Sequence, residues 1–249
     1  MAQFSNNSQS HDHSLEVLNL LREHDTFMES ISSMADMGAG SCLDTRWWAS
    51  LSTRDDSPEP LNLRCYAVDR APMRIDFDQP ENMTYIQKDF EKRLLPVDVD
   101  VIWCHDAFQY AINPLNTLKL FSQQMNVNGL LYIGMPLPHW SLNRQQVTTI
   151  KNYEYYNHSF LSLVYMLAVN GFDCKDAYFR KQANDPWLHA AVFKTDNEPM
   201  DPAVTTWYDL MEKGLIHDSI MLSLRQFGMI RQQDVVFTWL DKNIYHIED

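Results

Sequence analysis

At 249 residues, 45% of them apolar, the chain has room for one sizeable core and a small extension. Asp and Glu number 33 against 20 Lys and Arg, a net charge of −13 that repels phosphate backbones and speaks against a nucleic-acid ligand. No apolar run reaches the ~18 residues of a membrane span, the N-terminus lacks the basic-then-apolar plan of a signal peptide, and Cys42, Cys65, Cys104 and Cys174 are too scattered for a zinc site, so reduced thiols in a cytoplasmic protein, with no metal, are expected.

Residues 1–13 are polar and aperiodic and read as a mobile tail. From Ser14 the pattern turns helical, with Leu15, Leu18 and Leu21 three apart. A short strand over Ser33–Met37 runs into the small-residue turn Gly38-Ala39-Gly40-Ser41, and a helix is expected over Thr45–Leu51. Ser52–Pro60 is a polar loop with two prolines. Leu61–Val68 alternates and then runs apolar into Asp69, a second strand; Met83–Gln87 is a third. Val99–Cys104 reads as a buried strand, followed by a helix over Pro114–Met125 with proline in its first turn. Asn128-Gly129 predicts a turn and Leu130–Ile133 a further buried strand. A long helix over Val147–Asn170 ends at Gly171, and Phe172–Phe179 and Leu188–Phe193 read as an antiparallel pair. Strands alternating with helices predict an α/β domain over residues 14–195, with a mostly parallel sheet. Residues 196–249, rich in Trp, Leu and Met, read as a helical extension packed on that domain.

The most informative stretch is Met34-Ala35-Asp36-Met37-Gly38-Ala39-Gly40-Ser41. A buried strand ends in an acidic residue, and two glycines follow, one residue apart. Glycine lets the backbone turn sharply and lets a ligand come close. In open α/β sheets ligands bind at the carboxyl ends of the strands. Asp36-x-Gly38-x-Gly40 resembles motif I of the class I S-adenosylmethionine-dependent methyltransferases, with Cys42 where that family carries a third glycine. A dinucleotide GxGxxG would need glycine at position 43, where Leu43 stands. Three later matches follow in order. Tyr66-Ala67-Val68-Asp69 ends the second strand with a carboxylate, and Gln87-Lys88-Asp89-Phe90 follows the third. Asp100-Val101-Ile102-Trp103-Cys104-His105-Asp106 resembles motif IV. Asn113-Pro114-Leu115 and Asn128-Gly129-Leu130-Leu131-Tyr132-Ile133 resemble the small-molecule branch. Taken singly, each loop carboxylate is ordinarily a turn residue or a helix cap.

The resemblance spans about residues 30–195. It implies a Rossmann-like, seven-stranded, mostly parallel sheet and S-adenosylmethionine as cofactor. Asp36, Gly38, Ala39, Gly40, Asp69, Arg70, Asp89, Phe90 and His105 are the implied cofactor-binding residues. Asp69 would take the ribose hydroxyls, and Asp89 would face the adenine amino group with Phe90 against the ring.

Methyl transfer from a sulfonium is an in-line displacement with a neutral leaving group, so alignment supplies much of the catalysis. A general base is needed only where the nucleophile sheds a proton. His105, at the mouth of the fourth strand, is the candidate base, with an ordinary pKa of about 6.5; packing beside the cofactor is the other role open to it. Asp106 would orient it or cap the next helix. His139 and Trp140 follow the fifth strand and, with Tyr156, are expected on the acceptor side. Trp47, Trp48, Tyr153 and Tyr155 are further aromatic candidates, although their spacing fits a core equally well.

Cys104-His105-Asp106-Ala107 stands where amino-methylating nucleic-acid enzymes carry (D/N/S)PP(Y/F/W), and the chain has no Pro-Cys pair of the kind that cytosine C5 enzymes use. The expectation is therefore a methyltransferase acting on a small-molecule acceptor. A methyltransferase-like binding or assembly subunit is the alternative, motivated by Cys42 and by the apolar segment around Trp207, Leu210, Ile216, Ile220, Val236 and Trp239, which would meet a protein partner or a second copy. A methyltransferase acting on protein or nucleic acid comes third.

Overall fold

The computed structural model describes residues 7–51, 63–72, 77–93, 95–136, 160–181 and 187–227. Seven strands form one sheet: β1 (Ser33–Met37), β2 (Arg64–Asp69), β3 (Met83–Gln87), β4 (Val99–His105), β5 (Met125–Pro136), β6 (Phe172–Lys181) and β7 (Trp187–Lys194), in the order β3-β2-β1-β4-β5-β7-β6. β7 runs antiparallel to β5 and β6, and the other neighbours pair in parallel. The order reverses between β1 and β4, so the crevice that such sheets use for ligands opens at the carboxyl ends of these two strands.

Both faces of the sheet are covered, which is why β1 reads as a continuous buried run. Alternation sends Ala35, Met37, Ile102, Cys104, Leu131, Ile133 and Val192 to one core. That core is completed by α4 (Pro114–Gln123), α5 (Phe160–Val169), α6 (Trp207–Glu212) and α7 (Asp218–Phe227). Met34, Cys65, Val101, Trp103, Leu130, Tyr132 and Ala191 face the other core, beneath α1 (Asn7–Arg22), α2 (Asp25–Ser30) and α3 (Leu43–Ser50). At the amino end of the sheet Asp100 ties strands together. It accepts from the backbone and hydroxyl of Ser32 (2.8 and 2.9 Å), from Ser33, and from Asn126 Nδ2 at 2.7 Å. Partial burial works against its charge, but these hydrogen bonds prevail and hold the carboxyl below its ordinary pKa.

The extension joins the main core through Leu210, Leu215, Ile216, Ile220 and Met221. The Tyr165 hydroxyl of α5 reaches the carbonyls of Pro202 (3.1 Å) and Thr205 (2.7 Å), and Trp207 sets its ring edge against that tyrosine. A Thr206–Asp209 capping box starts α6.

Four features differ from expectation. α1 begins at Asn7 rather than Ser14, so residues 7–13 of the expected tail are helical. The cause is tertiary, since His11 and Ser14 both meet Asp44. α2 and a 3-10 turn over Phe108–Tyr110 are too short to show a period. Asn128, at φ +65°, lies inside β5 beside a register shift against β4, so the expected turn is a bulge within a longer strand. All four cysteines are buried free thiols. The expected loop over Ser52–Pro60 and the part of the long helix before Phe160 lie outside the described residues, and no described helix is long and apolar enough to cross a membrane.

Candidate functional site

The chain leaves β1 in a tight bend stitched to β2. The Gly38 and Ala39 amides donate to the Val68 carbonyl at 2.8 and 3.0 Å. Gly38 has φ +86°, and a Cβ there would collide with the Ala107 side chain, so this position admits only glycine. The Gly40 amide then donates to Asp69 Oδ2 at 2.9 Å, while Asp69 Oδ1 accepts from the Ala71 amide at 2.7 Å. The carboxylate at the end of β2 thus braces both its own turn and the glycine bend. Cys42, at the N-cap of α3, adopts φ +60° and ψ +26°, a left-handed conformation of the kind glycine takes most easily, and is buried with Ala67 and Met83.

Asp36 lies beneath the bend and accepts from Thr45 Oγ1 at 2.6 Å. Burial above all, and then the charges of Asp44 and Asp69, push its pKa up to about 8. Asp44, in the first turn of α3, accepts from Ser14 Oγ (2.8 Å) and Trp103 Nε1 (2.7 Å) and is paired with His11. It thereby ties α1, α3 and β4 together. Burial and the nearby Asp36 and Asp69 push the Cys42 thiol up to about 12, and burial with Asp36 and Asp106 raises the Cys104 thiol well above its ordinary value. Both shifts mark an apolar, negatively charged surround.

After β3, Asp89 accepts from the Glu91 amide at 3.0 Å and shapes the turn. Half-buried Phe90 comes to within 4.0 Å of where a Gly38 Cβ would stand, so its ring flanks the bend; Arg70 is exposed.

The fourth strand delivers His105 to the same edge. Its ring is buried, Nδ1 is 3.1 Å from the Tyr132 hydroxyl, and Trp187 stacks on it with centroids 4.7 Å apart and planes within 13°. The Tyr132 hydroxyl is in turn 2.8 Å from His189 Nδ1. Asp106 has φ +52° and accepts from Gln109 Nε2 at 2.6 Å, so this carboxylate engages the 3-10 turn that follows.

Asp36, Gly38, Ala39, Gly40, Asp69, Asp89, Phe90 and His105 therefore all stand at the carboxyl edge of β1–β4 or in the turns leaving it. Trp48 is in the core, edge-on to Trp103, with Trp47 packed against it. His139, Trp140, Tyr153, Tyr155 and Tyr156 lie outside the described residues. Sequence reasoning missed Asp44, Tyr132, Gly134, Trp187 and His189. The available signal was a polar residue at an inward position of an apolar strand, as His189 is in Leu188-His189-Ala190-Ala191.

The sequence matches no protein-family profile and no curated protein sequence. Solved structures do match. A Haloferax volcanii protein described as a methyltransferase, in complex with the Trm112 methyltransferase activator, superposes with a TM-score of 0.54 at 13% identity, covering 76% of this chain and 95% of that one. A protein of Galdieria sulphuraria described as a sarcosine dimethylglycine methyltransferase gives 0.54 at 13% identity, over 75% and 88%. Haemonchus contortus phosphoethanolamine N-methyltransferase 2, bound to phosphomonomethylethanolamine and S-adenosylhomocysteine, gives 0.51 at 14% identity, over 66% and 49%. The fold is that of the class I S-adenosylmethionine-dependent methyltransferases.

Proposed function

We propose that this protein is an S-adenosylmethionine-dependent methyltransferase with a small-molecule acceptor. One observation carries the reading: at the switch point of a methyltransferase fold, the glycine bend after β1 is tied through the Gly40 amide to the Asp69 carboxylate that ends β2. A carboxylate at this edge suits a ligand with ribose hydroxyls and a positive charge and opposes a pyrophosphate. The residues fit that ligand. Two backbone amides use two of the roughly four acceptor positions of the Asp69 carboxylate, which leaves acceptor capacity for a pair of ribose hydroxyls. Asp36 and the Gly38–Gly40 bend would hold the amino-acid end, and Asp89 with Phe90 the adenine.

When bound, the sulfonium supplies an electrophilic methyl group whose sulfur leaves as a neutral thioether. The chain's own part is alignment and, at His105, accepting a proton. Incubation with methyl-labelled S-adenosylmethionine and a panel of small hydroxyl, thiol and amine acceptors tests this. Labelled product formed by the wild type and not by Asp69→Ala is expected. Labelled protein or nucleic acid, with no labelled small molecule, would overturn the acceptor class.

A further inference from the structure

The first two turns of α1, Asn7-Ser8-Gln9-Ser10-His11-Asp12-His13, contain no apolar residue; the apolar side chains that α1 buries are Val17, Leu18 and Leu21. A helical segment of this length does not hold itself together in water. α1 also has no acidic residue in its first turn to meet its own dipole. The order of these turns therefore comes from a tertiary contact. Asp44 supplies it from the first turn of α3, two residues past the Cys42 cap, where the helix terminus favours an anion. Its carboxylate accepts from Ser14 Oγ at 2.8 Å and Trp103 Nε1 at 2.7 Å and is paired with His11 Nδ1. Among the described residues no Lys or Arg reaches Asp44, so the imidazole is its one partner able to bring a positive charge.

The elements packed on α1 decide what an imidazolium meets there. α3 presents Asp44, whereas Arg46, two residues on, is turned to Phe77, with its guanidinium carbon 4.7 Å from that ring's centre. α2, with Asp25 and Glu29, follows the far end of α1, about 16 Å along the axis from His11 at 1.5 Å per residue. β4 presents Trp103, a neutral donor. Behind Asp44 stand Asp36 of β1 and, beyond it, Asp69 of β2, close enough for both Asp44 and Asp69 to act on Asp36. These carboxyl groups add to the attraction of Asp44 for a protonated ring, and none offsets it. The His11 side chain is 20% exposed, so it exchanges protons with water, while the Asp44 side chain is only 10% exposed, so the pair is weakly screened.

We propose that His11 and Asp44 form a pH-sensitive clasp on α1: the protonated imidazole holds the first two turns of the helix against the start of α3, and loss of that proton loosens them. The protonated pair is neutral overall. Once the proton leaves to water, the pair carries one negative charge beside Asp36 and Asp69, and the hydrogen bond that remains lacks the ionic attraction. Ser14 and Trp103 keep their bonds to Asp44 in both states, so α1 stays attached from Ser14 onward and only its start is freed. The clasp is closed at low pH and opens as pH rises through the titration of His11. It borders the exit of the glycine bend but involves no ligand, so it stands or falls apart from the methyltransferase reading.

The test is amide hydrogen exchange of the full chain by NMR between about pH 5.5 and pH 8.5, a range that spans the ordinary imidazole titration. The amides of residues 11–14 bond back to the carbonyls of residues 7–10, so their protection factors report the first turns directly, and α4, in the other core, is the control helix. Protection of residues 11–14 is expected to fall about three- to tenfold from the low to the high end of the range, with α4 not following. The midpoint is expected where the His11 ring signal titrates, that signal being assigned by its loss in His11→Gln. In His11→Gln the same amides should be weakly protected at every pH. Protection in the wild type that does not change with pH would overturn the proposal, as would an equal fall in α4. The same fall in His11→Gln would also overturn it and place the switch at another group, such as Asp36. If the variant fails to fold, agreement or disagreement between the two wild-type midpoints decides, the ring signal then being assigned through its contacts with Ser14.

Discussion

Cys42 occupies a backbone conformation that costs a side-chain-bearing residue about 1–2 kcal/mol. Glycine restores the freedom but loses the buried sulfur, so Cys42→Gly should fold with a melting temperature within a few degrees of wild type. A β-branched residue has neither compensation, and Cys42→Val should lose about 2 kcal/mol or more in chemical denaturation; equal stability of the two variants would refute the account of this turn. Asp36 offers a second residue-scale prediction. Its folded pKa of about 8 lies above the ordinary 3.8, so the folded chain holds the proton more tightly than the unfolded one. The associated stability is present below the lower value and is lost as pH rises through that window. Measured across the same range, wild type should fall relative to Asp36→Asn, and parallel curves would count against the burial argument.

Elements were legible where periodicity or punctuation was strong. All seven strands stand where alternation or apolar runs place them, and α4 starts at the expected proline, with the Asn113 side chain accepting from the Asn116 amide. What escaped is contact-driven. The first turns of α1 are polar and gain their order from Asp44, more than thirty residues away in sequence. Similarly, His189 reads as an ordinary strand residue until register pairs it with Gly134, opposite His105. The glycine bend and Asp69 were visible because local backbone geometry demands those residue types; the histidine chain was not, because only sheet order assembles it. Asp44 gives the element-scale prediction. Asp44→Ala leaves the buried Trp103 indole N–H without its acceptor, at about 1–3 kcal/mol, and removes the contacts that Ser14 and His11 of α1 make with α3. Hydrogen exchange should show α1 losing protection ahead of the sheet. Uniform loss would mean that Asp44 is not what fastens α1.

At the scale of the molecule, a net charge of −13 surrounds a site whose edge carries Asp69 and Asp89. S-adenosylmethionine carries one net positive charge and S-adenosylhomocysteine none. Added salt, with a Debye length of about 10 Å at 0.1 M, should therefore weaken binding of the first more than of the second. Equal salt dependence would mean that the carboxylates do not act on the sulfonium. The most direct measurement is calorimetric titration of the wild type and Asp69→Ala with S-adenosylmethionine. Saturable one-site binding by the wild type, lost in the variant, is the predicted result. Absence of binding by a folded wild type would contradict the assignment of this edge as a sulfonium-nucleoside site.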